Sequence, residues 1–196
     1  MMIQTQETKL YTPQEYLELE IHSEERYEYI NGEIIPMTGG TPNHNKVALN
    51  FASALNLGLK RQPLDIFMTD QRIWIPAKRI YTYPDVMVIA QPIEYVENRK
   101  DTLINPLLIA EVLSKSTQSY DKDEKFAAYR TISSFQEYLL IDQYKIHLEH
   151  YLKTEPRQWL FTEYDNPQDI IYLSSINFKF ELADLYDKVD FSVTEE

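Results

Sequence analysis

Tyr83-Pro84-Asp85-Val86-Met87-Val88-Ile89 sets a carboxylate inside a short apolar run, and Leu107-Leu108-Ile109-Ala110-Glu111-Val112-Leu113 repeats the pattern 26 residues later. Runs this short and rich in β-formers predict buried strands, here over 83–90 and 107–113. A buried carboxylate is costly unless it is paired, hydrogen-bonded or bound to a metal. Two such strands side by side would bring Asp85 and Glu111 together. Paired carboxylates of this kind hold a divalent cation, which points to metal-dependent phosphodiester chemistry.

Outward from these runs, the chain alternates helix and strand signals. Thr12-Pro13-Gln14-Glu15 is a capping box with Pro at the first helical position, so a helix is expected from there to about Ser23. Tyr27 to Ile30, Asn31-Gly32 and Glu33 to Pro36 read as a hairpin with a type I′ turn. Gly39-Gly40-Thr41-Pro42-Asn43 is a break. A helix should follow over 44–61, with Val47, Ala48, Phe51, Leu55 and Leu59 near one face. Further strands are expected at 65–69 and 72–76, and the charged segment 91–106 reads as a surface loop. A second long helix is expected from Asp121, which has capping-box spacing to Glu124. Strands then follow at 137–141, 146–152, 159–164 and 170–173. This is an α/β or α+β pattern, a mixed sheet flanked by a few helices. The expected organisation is a flexible tail over 1–10, one domain over 11–187 and an acidic tail over 188–196.

Composition narrows the function classes. The 196 residues with 43% apolar content suit one globular domain. There is no cysteine, which removes disulfides, thiolate zinc sites and cysteine nucleophiles. No run approaches the ~18 apolar residues of a membrane helix, and the first residues lack a signal-peptide pattern. The expectation is a soluble cytoplasmic protein with no membrane partner. The net charge of −12 opposes extensive phosphate contact. That charge is unevenly spread: residues 1–35 carry −6 and 131–196 carry −8, while 60–130, which hold both acids, carry +1.

Downstream of Glu111 come Ser114-Lys115-Ser116-Thr117 and then Lys125, with Tyr129 one helical turn further. A lysine beside a metal can orient or deprotonate the attacking water, or stabilise charge on the phosphate. Pro84-Asp85, the segment Glu111 to Thr117, and then Asp121, Lys125 and Tyr129 resemble the Uma2 family. The upstream Glu28-Tyr29-Ile30-Asn31-Gly32-Glu33 and His44 also resemble its N-terminal pattern. The resemblance covers roughly residues 11–180. It implies the PD-(D/E)XK nuclease superfamily, hence a restriction-endonuclease-like mixed central sheet and Mg²⁺-dependent (or Mn²⁺-dependent) cleavage of nucleic acid, by expectation DNA, as a homodimer. On that footing the site residues are Asp85, Glu111, Lys125, Glu28 and His44, with Asp85 and Glu111 as the metal ligands.

One departure stands out. The superfamily pattern has Lys two residues after the Glu, and here that position is Leu113. Lys125 or Lys115 would have to supply the ammonium. Structural alternatives stand beside each reading: Asp85 as a cap of backbone groups where a strand begins, Glu111 ion-paired with Lys125 or Arg130, and Lys125 as a solvated helix residue. Glu33 and Asp70 read as charged surface or a third carboxylate. His22, His147 and His150 show no ligand spacing to carboxylates and read as structural or surface residues. Two rival functions follow: a catalytically degenerate nuclease-fold module that binds nucleic acid or protein, and a small-molecule phosphoester hydrolase. A basic groove with Lys60, Arg61, Arg72, Lys78 or Arg79 beside the acids would favour nucleic acid, and a closed pocket would favour a small ligand.

Overall fold

The computed structural model describes residues 9–115 and 117–192. The tails expected at 1–10 and 188–196 therefore fall partly outside the described residues, as does Ser116. No described helix is long and apolar enough to cross a membrane.

Helix α1 (Pro13–His22) opens on the expected capping box, with Thr12 and Glu15 exchanging hydrogen bonds. Strands β1 (Tyr27–Ile30) and β2 (Glu33–Pro36) form the hairpin, and both turn residues have positive φ, 48° at Asn31 and 110° at Gly32. A type I′ turn requires that of both residues, which is why Asn-Gly suits it. Helix α2 spans Pro42–Gly58, starting earlier and ending earlier than the periodicity suggests. Thr41 caps it by accepting from the His44 N–H, and Pro42 occupies the first turn, where its missing N–H costs nothing.

Strands β3 (Leu64–Met68), β4 (Arg72–Ile75) and β5 (Ile80–Thr82) follow. Here the expected strand 83–90 is corrected. The chain leaves β5 at Thr82, crosses through Tyr83-Pro84-Asp85, and begins β6 (Val86–Ala90) in a different sheet. Pro84 has no N–H for a ladder, and the Asp85 side chain accepts the Val112 N–H at 2.7 Å. Asp85 thus stands where the strand begins, not within it. Most of the segment 91–106 is loop, with a short strand β7 (Thr102–Leu103) lying parallel to β4.

Strand β8 (Pro106–Leu113) is flanked by β6, antiparallel, and β9 (Glu137–Asp142), parallel. Between β8 and β9 lies α3, the helical stretch 118–129. It runs as Gln118–Tyr120, a π-type turn over Asp121–Lys125, and Phe126–Tyr129. The expected helix start at Asp121 is also corrected: Asp121 is not a cap but a buried residue inside the helix. Strands β10 (Leu148–Glu155), β11 (Gln158–Tyr164), β12 (Ile170–Leu173) and β13 (Phe178–Glu181) complete the strands. The last of these carries no strong sequence signal.

The sheets are ordered β2-β1-β5-β4-β7, β11-β10-β9-β8-β6-β3 and β12-β13. The six-stranded sheet is central and mixed, so the α+β class with a mixed central sheet and flanking helices holds. Its two faces belong to different cores. Val86, Val88, Leu108, Ala110 and Val112 pack with Phe51 and Leu55 of α2. Met87, Ile89, Ile109 and Leu113 pack with Ala128 and Tyr129 of α3 and Ile73 and Ile75 of β4. Strand alternation puts Glu111 on the second face, between Ile109 and Leu113, and beneath α3.

Candidate active site

The register Val86↔Ala110 between β6 and β8, carried one step further, sets Asp85 against Glu111. The Asp85 N–H donates to Glu111 Oε2 at 3.2 Å. Glu111 Oε1 accepts from Tyr129 Oη at 2.7 Å and from Lys125 Nζ at 3.3 Å. Lys125 also lies 3.1 Å from Asp121 Oδ1 and 3.5 Å from Glu28 Oε1. On the other flank, His44 Nε2 is 3.2 Å from Asp85 Oδ2.

All five residues expected for the site, Asp85, Glu111, Lys125, Glu28 and His44, thus meet in one cluster. Asp121 joins them, a residue that the spacing to Glu124 disguised as a cap. The π-type turn widens the helix at Asp121–Lys125. Both ends of that turn are buried against the acids, and such turns recur at functional sites. Lys115 lines the cleft away from the acid cluster, with its Nζ 5.6 Å from the Tyr144 ring, and Arg130 stacks on Phe126 at 4.8 Å. Leu113 is packed in the apolar core, so the ammonium near Glu111 comes from α3 and not from β8.

Four carboxyls therefore surround one ammonium and one imidazole. Burial, opposed by Lys125 and reinforced by the charges of Asp85 and Asp121, raises the Glu111 carboxyl to about 8. Burial works against the Lys125 ammonium, but Glu111, Glu28 and Asp121 more than offset it, and its pKa rises well above the ordinary value. For His44, burial disfavours the imidazolium, yet the hydrogen bond and charge of Asp85, with Glu111, raise its pKa. Among the described residues, the His44 Nδ1 and Tyr120 Oη atoms are buried without a hydrogen-bond partner.

The cluster forms the floor of a cleft of about 1220 Å³. Side-chain exposure falls from 20% at Asp85 through 12% at Glu28 to 3% at Glu111 and Asp121. Asp85 is thus the acid most open to a ligand. Glu28, Ile30, Glu33 and Ile35 all line the cleft, because the pairs Glu28↔Ile35 and Ile30↔Glu33 share one face of the hairpin. Glu33 and Asp70 sit at the exposed rim, with Asp70 4.0 Å from Arg26. None of Lys60, Arg61, Arg72, Lys78 and Arg79 lines it.

Two histidines read from sequence as lacking carboxylate partners have them. His150 lies 3.1 Å from Glu137, and His147 lies 3.8 Å from Glu149 and 3.6 Å from Glu163. Strand pairing brings these together, since Glu149 faces Glu163 across β10 and β11. The group His147, Glu149 and Glu163 is already engaged by Lys122, 2.5 Å from Glu149.

Comparison with known proteins finds relatives of the chain. "Uncharacterized protein sll1609" of Synechocystis sp. is 47% identical over 156 residues, covering 80% of this chain and 88% of that protein. "Uncharacterized protein slr1290" of the same organism is 33% identical over 177 residues, covering 89% and 90%. A solved structure described as "a putative nuclease belonging to DUF820" from Anabaena variabilis shares the fold, with a TM-score of 0.69 at 23% identity over 84% of this chain and 92% of that one. The profile of Uma2, described as "Putative restriction endonuclease", matches residues 13–184, and the chain belongs to that family.

Proposed function

We propose that this protein is a divalent-metal-dependent endonuclease that hydrolyses phosphodiester bonds of DNA. The observation that carries the reading is the excess of buried and half-buried carboxyls at the cleft floor. Glu28, Glu111 and Asp121 share the Lys125 ammonium while Asp85 pairs with His44, and acids in such excess call for a cation. An all-oxygen donor set of this kind suits Mg²⁺ or Mn²⁺. Asp85 and Glu111 would hold the ion. When bound, it supplies Lewis-acid activation of the phosphoryl group and acidifies a coordinated water.

The chain's own groups divide the remaining work. Lys125, held charged by three carboxyls, stabilises negative charge on the phosphoryl oxygens; an ammonium with a raised pKa is a poor base. Tyr129 and Lys125 fix the Glu111 carboxyl. Glu28, which also accepts from the Thr82 hydroxyl, positions Lys125 from the hairpin side. His44 beside Asp85 can supply the proton that the departing sugar oxygen takes up as the P–O bond breaks and the water oxygen, its own proton released to bulk solvent, bonds to phosphorus.

The rival reading, a non-catalytic module, draws on Leu113 and the net charge of −12. Against it stands Lys125 Nζ, 3.3 Å from Glu111, which delivers the missing ammonium to the same carboxylate. The deciding experiment incubates the protein with DNA and Mg²⁺ or Mn²⁺, with Asp85→Asn as the control. Cleavage by the parent alone supports the reading, and equal cleavage by the variant refutes it.

A further inference from the structure

We infer, building on the nuclease reading above, that the polynucleotide this cleft accepts is an unpaired strand and not an intact duplex. The first support is charge. A duplex presents one phosphate per ~1.7 Å of axis and is held by Lys and Arg arrayed along its backbone. Here the rim carries Glu25, Glu33, Asp70 and Glu124 against Arg26 and Lys115. Arg72, in the segment that could have built a basic groove, is buried against Glu20, Thr102, Tyr83 and Asp101. A single strand has a lower charge density and a weaker dependence on phosphate neutralisation.

The second support is the hairpin wall. Ile30 and Ile35 share the face of Glu28, and Met37 beyond the strand also lines the cleft. Ile35 and Met37 are each 39% exposed, an apolar surface running straight into the acid cluster. In a duplex the base faces are already stacked on one another, and the outside of the helix offers this wall sugar, phosphate and base edges but no base face. An unpaired base has a free face to lay on it. Its phosphate would then lie toward Glu28 and Asp85.

Size and polarity agree. At about 1220 Å³ the cleft exceeds the ~300–1,000 Å³ of ordinary small-molecule sites, leaving room for more than one nucleotide. On the α3 side, Tyr120 is among the residues lining the cleft, and its hydroxyl is buried beside it without a hydrogen-bond partner. A buried donor of that kind is costly until it meets an acceptor, and a phosphate or base oxygen supplies one.

The test uses one fluorescein-labelled mixed-sequence oligonucleotide, as DNA and as RNA, each alone and annealed to its complement. Cleavage is followed with Mn²⁺, and binding by fluorescence anisotropy with Ca²⁺. An unpaired strand should show kcat/KM at least ~10-fold above its own duplex, the scale of burying one apolar side chain against a base. The double variant Ile35→Ser, Met37→Ser changes exposed residues only. It should raise KM for the strand by about tenfold while Mn²⁺ affinity stays at the parent value. Equal or faster turnover of the duplex overturns the inference and leaves the nuclease reading standing. Turnover of the unpaired RNA alone upholds the inference and removes DNA from the reading. If no strand binds and none is cut, both fall.

Discussion

The Asp85 N–H donates to the Glu111 carboxylate at 3.2 Å, while the Asp85 carboxylate accepts the N–H of Val112, the residue after Glu111, at 2.7 Å. The two acids are therefore fixed to each other's strands and not merely adjacent. The linkage sits where the chain passes from the five-stranded to the six-stranded sheet. Pro84 ends one ladder, and the Asp85 side chain stands in for the missing bond of the next. The two acids are thus held together by the fold, and the cost is met locally by Lys125, Tyr129 and His44 and by the raised pKa of the Glu111 carboxyl.

Lys125→Met tests that compensation. Removing the buried ammonium leaves Glu28, Glu111 and Asp121 uncompensated and should cost about 3–5 kcal/mol in urea unfolding. The double variant with Glu111→Gln should recover part of that loss. Cleavage should fall by at least ~10²-fold in Lys125→Met. Parent-like stability would mean that the ammonium is not needed to hold the acids.

Protonation gives an independent handle. Glu111 has its carboxyl raised to about 8, against 4.5 for an ordinary glutamate. The folded state thus keeps a proton that the unfolded chain releases, and stability of the metal-free protein falls as pH rises from about 4.5 to about 8. A cation replaces that proton and removes the penalty. Thermal stabilisation by Mn²⁺ should therefore be larger at a pH above 8 than at a pH near 5.5, where the proton competes. Equal stabilisation across that range would contradict the raised carboxyl.

Much of this was legible in the chain. The capping box at Thr12, the Asn31-Gly32 turn, the apolar face of α2 and the strand around Glu111 all follow from local patterns, and they coincide with the structure. Asp85 and Glu111 stood out because a carboxylate in an apolar run is expensive. What the pattern hid was tertiary. Apolar continuity across 80–90 masks the switch between sheets, which shows only as Pro84. Asp121 mimics a cap because its spacing to Glu124 is that of a capping box, whereas burial against Lys125 decides its role. His147 looked isolated because its partner Glu163 comes from the neighbouring strand.

Gly40 should behave as a positioning residue for His44. A Cβ built there would lie 2.8 Å from His44 Nδ1 and 3.1 Å from Asn45 Oδ1, so Gly40→Ala forces a shift at this contact, and we expect the imidazole to move relative to Asp85. We expect a loss of cleavage rate of about tenfold, approaching that of His44→Ala, with stability within ~1 kcal/mol of the parent. Normal rates in Gly40→Ala alongside slow rates in His44→Ala would show that the close approach does not set the imidazole.

Gly58 tests the packing behind the site. Its added Cβ would fall 2.2 Å from the Phe178 ring, at the end of α2 where the helix meets β13. Overpacking of ~1–3 kcal/mol exceeds the gain of up to ~1 kcal/mol from replacing a helical glycine. Gly58→Ala should lower the urea midpoint, and Phe178→Leu in the same chain should restore most of it. A raised midpoint in the single variant would contradict the close approach.

The most direct measurement is calorimetric titration of Mg²⁺ and Mn²⁺ into the parent, Asp85→Asn and Glu111→Gln. Saturable binding to the parent that both substitutions abolish is expected, because each removes one of the two carboxylates assigned to the ion. Binding that survives unchanged in both variants, or no binding to the parent, would contradict it.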